Sequence, residues 1–264
     1  MITFIIIGFI VGGITGITGA SGVLIMIQIF STFFDIPLNI ILGTSLFVDV
    51  IASTSVSFTY FRAKNVDIIG TLWVIVGALL GAQIGSFFVI SVSRIFIMFV
   101  LAICMIFFGI KMFRSGLSKE KKNDLVVSDK ISSYLRTPVG MIFSGFIVGL
   151  TTGIFGAGGG LTVFVILYSF LKFNIKKAVG TSSFIMLLTA LSGVIGYAEN
   201  GNLDIKLGII IGISAAFGGA ITSFFANRIN EKILARIIGL FFIFLAFVMF
   251  TLKVLFPFFN FNLI

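Results

Sequence analysis

Two glycine-rich segments of this sequence could bind a small charged solute. Residues 16–22 contain three glycines, and residues 153–160 contain five. Glycine adopts backbone angles that other residues avoid, so a helix is expected to break in each segment. A helix that starts after such a break points unpaired N–H groups at its surroundings, which suits an anion. We therefore predict that substrate-binding residues lie at both breaks, namely Gly19, Ala20, Ser21 and Gly22 in the first and Gly156, Ala157, Gly158 and Gly159 in the second.

Helix packing and nucleotide binding are the alternative interpretations of these glycines. The earlier glycines of both segments are spaced as GxxxG, which is typical of closely packed membrane helices. We assign them to packing: Gly8, Gly12, Gly16, Gly145, Gly149 and Gly153. The pair Gly156 and Gly158 resembles part of a dinucleotide fingerprint, but it lacks the strand, turn and helix that this mechanism requires.

Hydroxyl and amide side chains provide a second group of candidates. The motif Gly-Thr-Ser occurs at residues 43–45 and again at residues 180–182. Its hydroxyls could donate to an anion without the cost of burying a cation, or they could bond back to their own helix. An amide is costly in lipid, so Gln83 should face a neighbouring helix or the transport pathway. The predicted substrate-binding residues of this group are Thr44, Ser45, Gln83, Thr181 and Ser182.

Asp49 is the one carboxylate deep inside an apolar segment. An acid in a membrane segment is a candidate for proton or ion coupling, and a hydrogen-bonded structural role is the alternative. The sequence has no histidine and a single cysteine, Cys104. We therefore predict no catalytic residue, no metal site and no cofactor.

The elements that must position these residues are apolar helices. Of the 264 residues, 59% are hydrophobic and 10% are charged, whereas about a quarter are charged in soluble domains. Residues 95–110 and 207–226 carry no charge, and such runs approach or reach the ~20 residues that cross a bilayer. This composition excludes a water-soluble fold and predicts a membrane protein.

The sequence repeats itself at an offset of 137 residues. Residues 8–24 match residues 145–161 at 12 of 17 positions without a gap, and the two Gly-Thr-Ser motifs follow the same offset. We predict two transmembrane repeats, residues 1–113 and 138–264, joined by a basic cytoplasmic linker at residues 114–137. Each repeat has a glycine-broken first segment and three membrane-spanning helices. The predicted fold class is an all-α polytopic membrane protein with the second repeat inverted.

The charge distribution predicts how each first segment lies in the membrane. The net charge of +9 could indicate nucleic acid, but the basic residues concentrate as the positive-inside rule predicts, so no nucleic-acid partner is expected. If residues 2–34 and 138–171 each turn back at their glycines, only Arg94, Lys206 and Lys253 of the 18 Lys and Arg residues face outward. We predict this topology, with both termini outside. The charges do not distinguish a re-entrant segment from two crossings.

The paired glycine segments, each followed by a Gly-Thr-Ser motif, resemble the sulfite exporter TauE/SafE family of probable membrane transporters. The likeness covers nearly the whole chain and is most specific from Gly149 to Gly160. It implies a multi-pass protein of a bacterial-type cytoplasmic membrane, and sulfite, sulfonates or related organosulfur anions as substrates. The first copy departs from the pattern because Ser21 and Val23 stand where the second copy has Gly158 and Gly160.

We expect a secondary transporter that exports a small anion, and not an enzyme. No ATP-binding motif is present, and a membrane potential that is negative inside helps to expel an anion. The alternatives are an anion channel, a carrier of another metabolite such as a carboxylate, and an intramembrane enzyme, which the missing histidine disfavours. The expected partners are the anionic solute, the lipid bilayer and a coupling ion, and a homo-oligomer is left open.

Overall fold

A computed structural model describes residues 1–34, 36–87, 94–117, 133–155 and 159–251, and the regular elements in these ranges are helices. The first five α-helices are α1 (Ile2–Thr18), α2 (Val23–Phe33), α3 (Leu38–Arg62), α4 (Leu72–Phe87) and α5 (Arg94–Leu117). The next five are α6 (Pro138–Phe155), α7 (Gly159–Val165), α8 (Ile175–Glu199), α9 (Ile205–Arg228) and α10 (Glu231–Phe250). A 3-10 turn at Ile69–Thr71 precedes α4, and a π-helical stretch at Ile166–Phe170 follows α7.

The first apolar segment is a hairpin of two helices, α1 and α2. Helix α1 ends at Thr18, and Gly19 has a φ of 64°, the left-handed region that favours glycine. Helix α2 then returns beside α1, as shown by the rings of Phe4 and Phe34, whose centres lie 5.5 Å apart. At 17 residues, α1 is about 25 Å long, somewhat less than the ~30 Å hydrocarbon core. The segment therefore begins and ends at the same end of the bundle, and the membrane side that the charge distribution predicts for it stays a prediction.

The second apolar segment, formed by α6 and α7, has the same course. Helix α6 ends at Phe155 and α7 begins at Gly159. Nη2 of Arg136, just before α6, donates a hydrogen bond to the carbonyl oxygen of Leu171 at 2.9 Å. This segment also ends beside its start. We call α1 with α2 the first hairpin, and α6 with α7 the second hairpin.

Glycines allow the long helix of each hairpin to pack closely on a helix from the other half of the chain. A methyl group added at Gly12 in α1 would overlap the carbonyl oxygen of Ala215 in α9, and one at Gly149 in α6 would overlap that of Ala78 in α4. Both residues of the second pair follow from the first by the 137-residue offset. These glycines are packing positions, as their GxxxG spacing predicts.

The remaining helices complete the bundle, and large apolar side chains are exposed on its outer surface. Helix α3 packs on α8 and on α9, and α5 packs on α10. Within the described ranges, α3, α8 and α9 are long and apolar enough to cross a membrane. Large apolar side chains point away from the bundle, for example Phe61 at 59% exposure and Phe217 at 65%. Such a surface suits a lipid environment and not water.

Candidate functional site

The two hairpins meet at the turn of the first and the start of α7 in the second. A methyl group added at Gly160 would lie 2.9 Å from the carbonyl oxygen of Gly19 and 2.9 Å from the amide nitrogen of Ser21. It would also lie 2.5 Å from Sδ of Met186 in α8. Only a residue without a side chain fits between these groups. We call this contact between residues 19–21 and Gly160 the hairpin junction.

The turn at residues 19–22 satisfies most of its own backbone amides. Thr18 Oγ1 accepts a hydrogen bond from the Ala20 amide at 3.1 Å, and Thr15 Oγ1 accepts one from the Gly22 amide at 3.1 Å. The Gly19 amide donates to the carbonyl of Thr15 at 2.9 Å. The Ser21 amide, which faces Gly160, donates to no acceptor in the described ranges. Of the predicted anion-binding amides of this turn, that of Ser21 is the one without an acceptor among the described residues.

Asp49 is joined to the hairpin junction by a hydrogen bond. Its Oδ2 accepts from the Ser21 hydroxyl at 2.6 Å, and the residue is 1% exposed. Its Oδ1 is buried and has no hydrogen-bond partner among the residues that the structure describes. The acid therefore lies directly beside the turn that offers the Ser21 amide.

A stripe of small polar side chains runs along α3 from Asp49 toward the end of the helix. Ser53 and Ser57 follow Asp49 at intervals of four residues, a spacing that puts them on one helix face. Both residues are buried, and neither hydroxyl has a partner in the described part of the chain. The sequence analysis did not single out these two serines, although their spacing from Asp49 was the signal. The 137-residue offset places Ala190 and Val194 at the equivalent positions of α8.

The threonines of the two Gly-Thr-Ser motifs hold loops from the opposite half of the chain. Thr44 Oγ1 accepts a hydrogen bond from the Asp204 amide at 3.0 Å, and Thr181 Oγ1 accepts one from the Asp67 amide at 3.0 Å. Both threonines are fully buried. Their predicted contact with an anion stays a prediction, and the structure gives their oxygens a role in joining the two halves.

The serines of these motifs differ in what they bind. Ser45 donates to the carbonyl of Leu42 at 2.9 Å, so it bonds back to its own helix. Ser182 donates both to the carbonyl of Val179 and to that of Gly19, each at 2.9 Å. Ser182 therefore belongs to the hairpin junction, whereas Ser45 packs inside α3.

The other predicted residues lie around the junction or away from it. Gln83 is exposed on α4, and its Nε2 donates to Ser192 Oγ of α8 at 2.9 Å, so it faces a neighbouring helix. Gly159 is buried against the side chain of Thr152. Gly156, Ala157 and Gly158 lie outside the described residues. In the described ranges, no three His, Cys, Asp or Glu side chains come together as a ligand set for a metal ion.

Comparison with known proteins shows one family over almost the full length. The model of a family described as "Sulfite exporter TauE/SafE" matches residues 4–249. The chain is 28% identical over 240 residues to the probable membrane transporter protein YdhB of Bacillus subtilis, covering 89% of this chain and 94% of that protein. It is 29% identical over 243 residues to the probable membrane transporter protein MJ0441 of Methanocaldococcus jannaschii, covering 87% and 86%. No solved structure gives a significant match.

Proposed function

This chain belongs to the sulfite exporter TauE/SafE family and is a multi-pass membrane transporter of the cell membrane, and we propose that it carries a small anion by alternating access. The proposed substrate class is sulfite or an organosulfur anion such as a sulfonate, and the proposed direction is export. The observation that carries this proposal is the hairpin junction, where two broken segments meet beside a buried acid.

The proposed mechanism rests on two inverted repeats. Helices α1 and α9 run parallel, since Gly8 and Gly12 lie against Ile211 and Ala215 in the same order. Helices α3 and α8 run antiparallel, because Gly43 lies against Asn202 and Gly180 lies against Asn65. These pairings support an arrangement in which equivalent helices of the two halves point in opposite directions. Inverted halves can exchange conformations about a central site, which gives alternating access.

The anion site that we propose lies at the hairpin junction and forms when the two hairpins move apart there, because the closed contact at Gly160 leaves no room for a solute. The Ser21 amide is available there, and α2 begins two residues later with its positive dipole end. The described groups that would surround the solute are Gly19, Ser21, Ser182 and Gly160. Peptide dipoles can bind an anion without a buried cation that would hold it too tightly to leave.

Because Asp49 lies beside the proposed anion site, a positively charged ion must bind Asp49 when the anion binds. A carboxylate that contacts Ser21 Oγ at 2.6 Å would repel an anion bound at the Ser21 amide. Two like charges about 4 Å apart in a low-dielectric setting cost several kcal/mol. A proton or a metal cation on Asp49 removes that repulsion, so we propose that one of them accompanies the anion. Net export then follows the membrane potential when the anion carries more charge than its partner ion, as divalent sulfite does with one proton.

Proteoliposome flux measurements test this proposal. We expect saturable uptake of sulfite or of a sulfonate, stimulated by the same anion loaded on the opposite side, as alternating access requires. Thiosulfate and a dicarboxylate provide the comparison anions. Flux that does not saturate and is not stimulated by counter-solute would indicate a channel. Flux of carboxylates alone would refute the sulfur-anion substrate while leaving the transporter class intact.

A further inference from the structure

Helices α3 and α9 run side by side in the same direction, and their C-terminal ends lie on the same side of the bundle. Ser55 Oγ donates to the carbonyl oxygen of Ala216 at 2.9 Å. A turn earlier, a methyl group on Gly212 would lie 2.5 Å from Cδ1 of Ile51. Both contacts follow one offset of 161 residues, so the two helices are parallel. Their last turns carry Arg62 and Arg228, which therefore lie at the same end of the bundle.

A groove of about 820 Å³ separates these two last turns on the outer surface of the bundle. Its walls are apolar and include Phe58, Ile221, Phe224 and Phe225, and its rim carries Arg62 and Arg228. All four wall residues are exposed, with Phe225 at 59%. The groove thus combines two cations with an open apolar floor at one end of a lipid-facing surface.

Both guanidinium groups are held against aromatic rings at this groove. The guanidinium carbon of Arg62 lies 4.6 Å from the ring centre of Phe58, and that of Arg228 lies 3.9 Å from the ring centre of Phe224. In the described part of the chain, neither arginine has a carboxylate within 4.0 Å. Ring contacts of this kind restrict the side chains and leave their N–H groups for another ligand.

Capping of the helix ends does not account for the two arginines. The carbonyls of Thr59, Tyr60 and Phe61 at the end of α3 accept hydrogen bonds from the amides of residues 63–65. At the end of α9, the Asn227 carbonyl accepts a hydrogen bond from Lys176 Nζ at 2.8 Å. The dipole of each helix contributes about half a negative charge, which is less than one full charge from each arginine. The groove rim therefore stays cationic.

We propose that this groove binds an anionic phospholipid. The phosphate lies between Arg62 and Arg228, where the planar guanidinium groups can each donate two hydrogen bonds to it. An acyl chain lies along the phenylalanine wall. A small hydrophilic anion would use only the rim, and a neutral lipid would use only the wall, so the combination of both selects an anionic lipid. The positive-inside distribution puts this rim in the cytoplasmic leaflet, where anionic lipids attract basic residues.

Lipid binding by the full-length protein in zwitterionic phosphatidylcholine nanodiscs tests the proposal without any flux measurement. Adding phosphatidylglycerol should raise the thermal unfolding temperature, and native mass spectrometry should show retained phosphatidylglycerol. The double variant Arg62→Gln with Arg228→Gln should lose about 30-fold in affinity for this lipid, or ~2 kcal/mol at about 1 kcal/mol per basic residue. The matched control is Lys111→Gln with Arg114→Gln. It removes two positive charges near the C-terminal end of α5 and should leave phosphatidylglycerol binding unchanged.

A second variant and a soluble probe keep the result interpretable. Ala220→Phe keeps both arginines but fills the groove, so it should also weaken phosphatidylglycerol binding. Glycerol 3-phosphate should not reproduce the thermal shift, because it lacks an acyl chain. Equal retention of phosphatidylglycerol by the wild type and the arginine double variant would overturn the proposal. A full thermal shift with glycerol 3-phosphate would replace the lipid with a soluble phosphate ligand and would overturn it as well.

Discussion

Replacing Gly160 by alanine should slow transport at least about fivefold without unfolding the protein. The added methyl group would lie 2.9 Å from Gly19 O and 2.9 Å from Ser21 N, both of which are backbone atoms, and 2.5 Å from the flexible Met186 side chain. Ordinary contacts of a methyl group are at least 3.4 Å, so the two hairpins must separate by about half an ångström. Overpacking of this kind costs about 1–3 kcal/mol. That cost corresponds to a ~5- to 150-fold loss of the closed junction.

The assay is anion uptake into proteoliposomes at fixed solute concentration, together with circular dichroism and gel filtration of the purified variant. We expect uptake to fall at least about fivefold while helix content and elution stay at wild-type values. The control is Gly13→Ala in α1, where the methyl group would lie 3.4 Å from Thr222 Cγ2, an ordinary contact. The repeat equivalent of Gly13 is Leu150, which already carries a side chain. Wild-type uptake by Gly160→Ala would refute a role for the hairpin junction in transport.

Three further variants test the acid, the serine stripe and the helix packing. Asp49→Asn should preserve folding, abolish the dependence of flux on pH or on a cation gradient, and allow anion exchange to continue; unchanged dependence would exclude Asp49 as the coupling residue. Ser53→Ala combined with Ser57→Ala should slow coupled flux several-fold if ions reach Asp49 along α3, whereas Thr54→Ala on the lipid side should have no effect. Gly12→Ala should lower the thermal unfolding temperature in detergent, since its methyl group meets the Ala215 backbone; stability equal to that of Gly13→Ala would contradict the close packing of α1 on α9.

The break in the first apolar segment was predictable because it depends on local sequence. A residue with positive φ is required where the chain turns between α1 and α2, and Gly19 supplies it. The charge distribution then predicted that each segment returns to the side where it began. Contacts between Phe4 and Phe34, and between Arg136 and Leu171, agree with that course. Length, charge and glycine content are all readable without knowledge of any neighbour.

The partners of the polar side chains were not predictable in the same way. The Thr44 hydroxyl accepts from a residue 160 positions away, and Ser182 donates to one 163 positions away. Such bonds depend on which helices meet, and the sequence offers only the residue types. An anion and a protein carbonyl or amide compete for the same hydroxyl, so the motif alone could not decide between them. The stripe of Asp49, Ser53 and Ser57 was readable as a spacing, but its burial was not.

The two sequence repeats of the chain differ at both residues that form one hydrogen bond, Ser21 with Asp49. The offset of 137 pairs Ser21 with Gly158 and Asp49 with Met186, so the first copy has the donor and the acceptor while the second has neither. A buried carboxylate that lost its hydroxyl donor would cost a few kcal/mol, so we expect the acid to occur together with its serine donor. In the second copy, Met186 fills the corresponding space with a thioether that lies against Gly160. The acid therefore belongs to one half of the junction, and the glycine-rich sequence without a carboxylate belongs to the other. We propose that this division lets one half bind the accompanying ion while the other half binds the anion.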